Sequence, residues 1–133
     1  MNLSQATPLG GGGGSQTTAD IIHENSGPFD TVSSTSLTTV DNFTMPYEGM
    51  CVARIDYTDG GGSGSNYNRV FQIAGPGGEV DFVANTRNYQ SSQPVWPAAR
   101  LTPGAYTVRV SKGYGSTSYD ITVTKITVFA WKE

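Results

Sequence analysis

The residues MCVARIDY (50–57) put Cys51, Ala53, Ile55 and Tyr57 in one phase and Arg54 and Asp56 in the other. Strict two-residue alternation means an extended strand with one dry and one wet side, because successive side chains leave a strand on opposite faces. The same rhythm returns in EVDFVA, with Val80, Phe82 and Ala84 set against Glu79 and Asp81. It returns again in AYTVRVS, with Tyr106, Val108 and Val110 inward and Thr107, Arg109 and Ser111 outward. The stretches TDGGGSGSN, GPGG and Pro103–Gly104 separate these runs and read as turns or loops. GPGG joins YNRVFQIA to EVDFVA as an expected hairpin.

The last segment, SYDITVTKITVFAWKE, carries a more specific instruction. Tyr119, Ile121 and Val123 share one phase, whereas Ile126, Val128 and Ala130 share the other. A flip near Thr124–Lys125 requires either a bulge or a strand that leaves one sheet for another. No 11-residue window shows helical periodicity. Apolar residues make up 36% of the chain and charged residues 14%, with Gly, Ser, Thr and Asn taking the balance. That composition suits many strands joined by many turns. The expected fold is an all-β antiparallel sandwich of about eight strands, a jelly roll, over residues 29–133.

Residues 1–28 read differently. Five consecutive glycines, Gly10, Gly11, Gly12, Gly13 and Gly14, offer no side chain to a core and a high entropic cost to any helix. Such a run is either a tether or a backbone laid flat against a partner. Leu3, Pro8 and Leu9 lie just ahead of it and would supply the apolar contacts. Residues 1–28 are therefore expected to form an extended arm, with residues 1–16 anchoring it to a partner and one strand near Thr17–Glu24. No Gly-Lys-Ser/Thr follows the glycines, so they are not a phosphate loop.

Charge and size restrict the function. A formal charge of −3 over 133 residues provides no basic footprint for nucleic acid. No stretch approaches the ~18 apolar residues of a membrane span. MNLSQATPLGG has neither a charged nor an apolar leader region, so the chain is expected to fold in a cytoplasm. One cysteine, Cys51, excludes an intramolecular disulfide, and its place in the dry phase suits packing better than nucleophilic chemistry. The single histidine, His23, is expected to be exposed on the arm. A metal reading would recruit Asp20 and Glu24 beside it, but the spacing is that of no zinc motif.

Asp56, Asp59 and Asn66 flank the glycine-rich loop DYTDGGGSGSN and could offer oxygen to calcium. The EF-hand spacing is missing, and a long loop explains the same residues. No cofactor or metal is expected. Tyr89, Trp96 and Tyr114 sit in loop-like surroundings and, with Asp59, are the candidate ligand-loop residues. For Trp96, between Pro94 and Pro97, the favoured reading is a plug closing one end of the sandwich.

TSLTTVDNFTMPYEGMCVARIDY and LTPGAYTVRVSKGYGSTSYDITVTKITVFAWKE together resemble the jelly-roll, tumour-necrosis-factor-like proteins of phage virions, of the capsid decoration or cement type, over residues ~33–133. The resemblance implies a non-enzymatic virion protein on the capsid surface, bound to the major capsid protein and commonly trimeric. Its alternative is a receptor- or glycan-binding jelly-roll module of a phage tail or fibre. The same lines are similar to bacterial pre-peptidase C-terminal domains, which accompany secreted enzymes. YNRVFQIA departs from that family's acidic strand.

Overall fold

The structure is a computed structural model, and it describes residues 16–59, 69–76, 78–85, 94–112 and 120–133, with the side chains of Asp59 and of residues 78–85 left aside. Among the described residues eight strands run in chain order: β1 (Asp20–Asn25), β2 (Thr38–Met45), β3 (Gly49–Asp59), β4 (Arg69–Gly75), β5 (Gly78–Asn85), β6 (Ala98–Leu101), β7 (Gly104–Ser111) and β8 (Ile121–Lys132). They form two four-stranded antiparallel sheets, ordered β1-β8-β3-β6 and β2-β7-β4-β5. Only β4–β5 is a hairpin within one sheet; every other connection carries the chain across to the opposite sheet. This is the expected eight-stranded jelly roll.

The alternation read from the sequence becomes the core. Cys51, Ala53, Ile55 and Tyr57 of β3 face Val108 and Val110 of β7 and Phe71 and Ile73 of β4, all buried. Tyr57 and Phe71 meet with ring centroids 4.8 Å apart, and the guanidinium of buried Arg69 lies over the Tyr57 ring. Each large apolar side chain removed from water contributes ~1.5–3 kcal/mol, so these rows hold the two sheets together. Ser111, expected on the wet side of β7, is buried as well.

The phase flip of the last strand is a bulge. Asp56 pairs with Lys125 and Tyr57 with Val123, so Thr124 has no partner on β3 and is exposed. Ile121 and Val123 before it, and Ile126, Val128 and Ala130 after it, consequently all point inward. The strand stays in one sheet throughout.

Two further bulges shape the side of the sandwich. Ile22 in β1 and Val40 in β2 are each an extra residue against their partner strand. They turn His23 and Asp41 toward each other between the two edge strands, where His23 Nε2 donates to Asp41 Oδ2 at 2.7 Å. His23 is thus a half-buried tie between the sheets and also touches Phe43, which corrects the expectation of an exposed arm histidine. The strand expected within the arm is β1, and it is an edge of the first sheet; composition alone does not separate it from the sandwich. Residues 1–15, including Leu3, Pro8, Leu9 and Gly10–Gly14, lie outside the described residues.

Val108→Asp tests this packing directly. Val108 is fully buried, and an unpaired carboxylate there costs several kcal/mol. Loss of the cooperative thermal transition is the expected result. A soluble variant that melts cooperatively near the wild-type midpoint would contradict the inward phase of β7.

Candidate functional site

Because the bulge at Thr124 turns Ile126, Val128 and Ala130 inward, Lys125, Thr127, Phe129 and Trp131 point out of the same sheet. β3 pairs alongside, so its wet phase falls next to them in register. Met50 stands beside Trp131, Val52 beside Phe129, Arg54 beside Thr127 and Asp56 beside Lys125. β1 adds Ile21 next to Phe129 and Glu24 next to Thr127. β6 adds Arg100 next to Met50 and Ala98 next to Val52.

Trp96 completes this face. The backbone of Val95 exchanges two hydrogen bonds with Ile55, at 2.9 and 3.1 Å, and Pro97 O accepts from Ala53 N at 2.9 Å. The segment therefore continues the edge of the sheet past β6. That pairing fixes parity: Val95 is buried in the core, and Trp96 points the other way with 49% of its surface exposed. The plug expected from the flanking prolines is corrected. Backbone pairing, rather than indole size, decides which side of the segment turns inward.

The outer face is divided chemically. At one end Ile21, Phe129, Val52, Met50 and Trp131 form an apolar surface, with Ile21 60% and Met50 42% exposed. A groove of about 440 Å³ there is lined by Gln16, Met50, Val52, Trp131 and Glu133. Toward the other end a depression of about 320 Å³ is lined by Ile21, Phe129, Glu24, Arg54, Asp56, Lys125 and Thr127. Phe129 and Val52, directly paired, form the ridge between the two.

The charges on this face are tied to one another. Arg54 donates to both carboxylate oxygens of Asp56, at 3.1–3.3 Å, and its guanidinium carbon lies 5.3 Å from the centre of the Trp96 ring. Lys125 Nζ is 3.8 Å from Glu24. Arg100 holds Glu133 with two N–H donors and also reaches Glu48 at 3.3 Å. The hydrogen bonds from Arg100 hold the Glu133 carboxyl below its usual range, and Glu133 in turn holds the guanidinium proton more tightly.

The groove's neighbour at the β1 edge is a polar knot. Tyr47 donates its hydroxyl to Asp20, and Ala130 O lies 3.3 Å away. Gln16 exchanges hydrogen bonds with the Lys132 backbone, both 2.8 Å. Burial first, and then the bond to Asp20, raises the Tyr47 hydroxyl well above its ordinary value. Gly49 is required here, because a Cβ at this position would overlap the carbonyl of Trp131.

The remaining expectations fall as follows. Asp20, His23 and Glu24 do not converge: Asp20 accepts from Tyr47, His23 bonds Asp41, and Glu24 pairs with Lys125. Asp56, weighed as a calcium ligand, is engaged by Arg54 on the sheet face. Asn66, Tyr89 and Tyr114 lie outside the described residues, and of Asp59 only the backbone, at the end of β3, is described. Cys51 is buried in the core, as expected of a packing residue.

No family model matches the chain, and no curated protein matches it. Among solved structures it is similar to a carbohydrate-binding module (CBM6cm-2) from Cellvibrio mixtus lichenase 5A, in complex with cellotriose. The TM-score is 0.44 and the identity 8%, over 82% of this chain and 90% of that one. At that identity no residue of that protein carries over to this one.

Two changes probe the frame of the face. Burial pushes the Cys51 thiol up to about 12, whereas a free thiol titrates near ~8.5. The unfolded chain thus loses this proton first. The stability contributed by the neutral buried thiol is complete below about pH 8.5 and is lost as pH rises toward the folded value. Native protein at pH 8 should resist iodoacetamide and react fully in denaturant; rapid labelling of the native state would place Cys51 at the surface. Gly49→Ala should lower stability by about 1–3 kcal/mol through forced displacement of the Trp131 backbone, read as a reduced midpoint in urea.

Proposed function

We propose that this chain is a non-catalytic binding module and that it presents the outer face of the sheet β1-β8-β3-β6 to a glycan. One observation carries the reading: Trp96 stands exposed on a strand edge, stacked by Arg54, beside a depression walled by Asp56, Glu24, Thr127 and Lys125. About half of the indole stays in water, an apolar face left open to a ligand. Sugar rings offer an apolar C–H face to an aromatic ring and hydroxyls around their rim. A fixed indole next to carboxylate, guanidinium and hydroxyl groups answers both needs. The groups are also held in place before any ligand arrives, since Arg54 is bonded on one side and stacked on the other, which limits the ordering cost of binding.

A second reading draws on the other end of the face. Ile21, Met50 and Val52 are aliphatic and exposed or half-exposed, and a contiguous apolar surface is the usual mark of protein docking. Under this reading the module attaches to a protein lattice, such as a major capsid protein on a virion surface, as a homotrimer.

Binding to a printed array of neutral and acidic glycans, followed by titration of the best hit, separates the two. Trp96→Ala should weaken that titration about tenfold or more, equivalent to ~1.4 kcal/mol, in a protein that still unfolds cooperatively, because about half of the side chain is already in water. Under the second reading no glycan binds, and adsorption to purified particles is abolished by Ile21→Asp with Met50→Asp while surviving Trp96→Ala.

A further inference from the structure

We infer that the ligand is an extended stretch of an uncharged glycan, lying along β3 from Trp96 to Trp131, rather than a single terminal sugar or an acidic one. This rests on the glycan reading above and makes it specific in length and charge.

The length follows from register. Trp131 stands beside Met50, and Trp96 stands beside Arg54. Four residues of β3 separate those two positions, a rise of ~13 Å. One sugar ring is much shorter than that. Along that stretch the polar depression, lined by Phe129, and the apolar groove, lined by Val52, adjoin where those two residues pair on one sheet face. Both depressions are backed by paired strands, so their spacing is fixed by the sheet rather than by a loop.

Charge follows from the pairing. Among the described residues the cations of the face have carboxylate partners: Arg54 has Asp56, Lys125 has Glu24, and Arg100 has Glu133 and Glu48. A uronate or sulfate entering the polar depression would approach Arg54 and Lys125 with the Asp56 and Glu24 carboxylates already beside them, so like-charge repulsion offsets the attraction of each cation. A neutral hydroxyl meets no such penalty and can bond to the carboxylates as they stand. The far end adds little polarity. Met50, Val52 and the Trp131 ring offer contact to C–H faces, with only Gln16 and Glu133 at the margin.

The experiment is isothermal titration of the whole chain with neutral gluco-, xylo- and manno-oligosaccharides, each as a ladder from monosaccharide to hexasaccharide. Oligogalacturonates of the same lengths form the charged arm, and all are measured at low and high salt. One neutral ladder should gain about tenfold or more in affinity between disaccharide and hexasaccharide, with no dependence on salt. Trp131→Ala should remove that gain, and Trp96→Ala should weaken every member of the ladder. Met50→Ala provides a second variant at the far end if Trp131→Ala lowers the thermal midpoint.

Equal affinity for short and long neutral ligands, or tighter and salt-sensitive binding of oligogalacturonates that still requires Trp96, overturns the inference and leaves the glycan reading intact. Absence of binding to any ladder, or binding indifferent to Trp96→Ala, removes both. Sedimentation that finds an oligomer dissociated by Met50→Arg places a second copy over the face, and this too overturns the inference.

Discussion

One unpaired residue, Thr124, determines which side chains of the longest strand meet water. β8 runs for 12 residues and pairs with both β1 and β3. In a regular strand, Ile121 and Val123 inward would force Phe129 and Trp131 inward and drive Ile126 and Val128 out, because the side-chain period is two. The extra residue at Thr124 reverses the phase halfway along. Both halves then bury their branched aliphatics, and the aromatics of the second half are expelled to the outer face. The core and the candidate site are consequences of the same irregularity. Bulges that re-aim side chains beside functional surfaces are a recurrent use of this device.

The two edge-strand bulges serve the opposite purpose. A jelly roll has sheet edges to protect, and at the side of this one Ile22 and Val40 are the inserted residues. They bring His23 and Asp41 into a direct hydrogen bond between β1 and β2. Tyr47, bonded to Asp20, adds a second polar tie close by. The edge strand that carries Ile21 is thereby fastened to the opposite sheet as well as to β8. Ile21 can remain exposed on the outer face without β1 depending on it for attachment. The Asp41 side chain is only 10% exposed, so its hydrogen bond to His23 also offsets the cost of taking that carboxylate out of water.

Much of the fold was legible because strand alternation is local. Cys51, Ala53, Ile55 and Tyr57 are buried as their phase required, and so are Tyr106, Val108 and Val110. The phase flip in β8 was visible too, with bulge and sheet change left open until pairing decided between them. The site was less legible for a physical reason: it belongs to the wet phases of three strands that adjoin only through long-range pairing. Met50 and Trp131 are 81 positions apart in sequence and neighbours in the sheet. Trp96 reads as a stacking candidate in the sequence, but its direction does not follow from the flanking prolines, because parity there is set by backbone bonds to Ile55. His23 was misplaced likewise. Its partner Asp41 is 18 residues away, and only the paired bulges bring the two together.

The net charge of the whole chain gives no guide to the surface that matters. At −3 the protein is mildly acidic, and a distant partner would sense that as weak repulsion or attraction, screened within ~8–10 Å at ordinary salt. On the outer face the charges are instead closed into local pairs. Arg54 is held by Asp56 beneath an indole, and Arg100 is held by two carboxylates. Paired charges of this kind contribute little to stability when exposed. Their effect here is geometric: each pairing restrains a long, flexible side chain that would otherwise sweep across the sheet. What remains is a surface stiffened by strands, its three cations matched by four carboxylates, apolar toward Trp131 and hydrogen-bonding toward Trp96. For the glycan proposed above, such a surface would favour a ligand that alternates C–H faces with hydroxyl groups and would disfavour one that brings a further carboxylate.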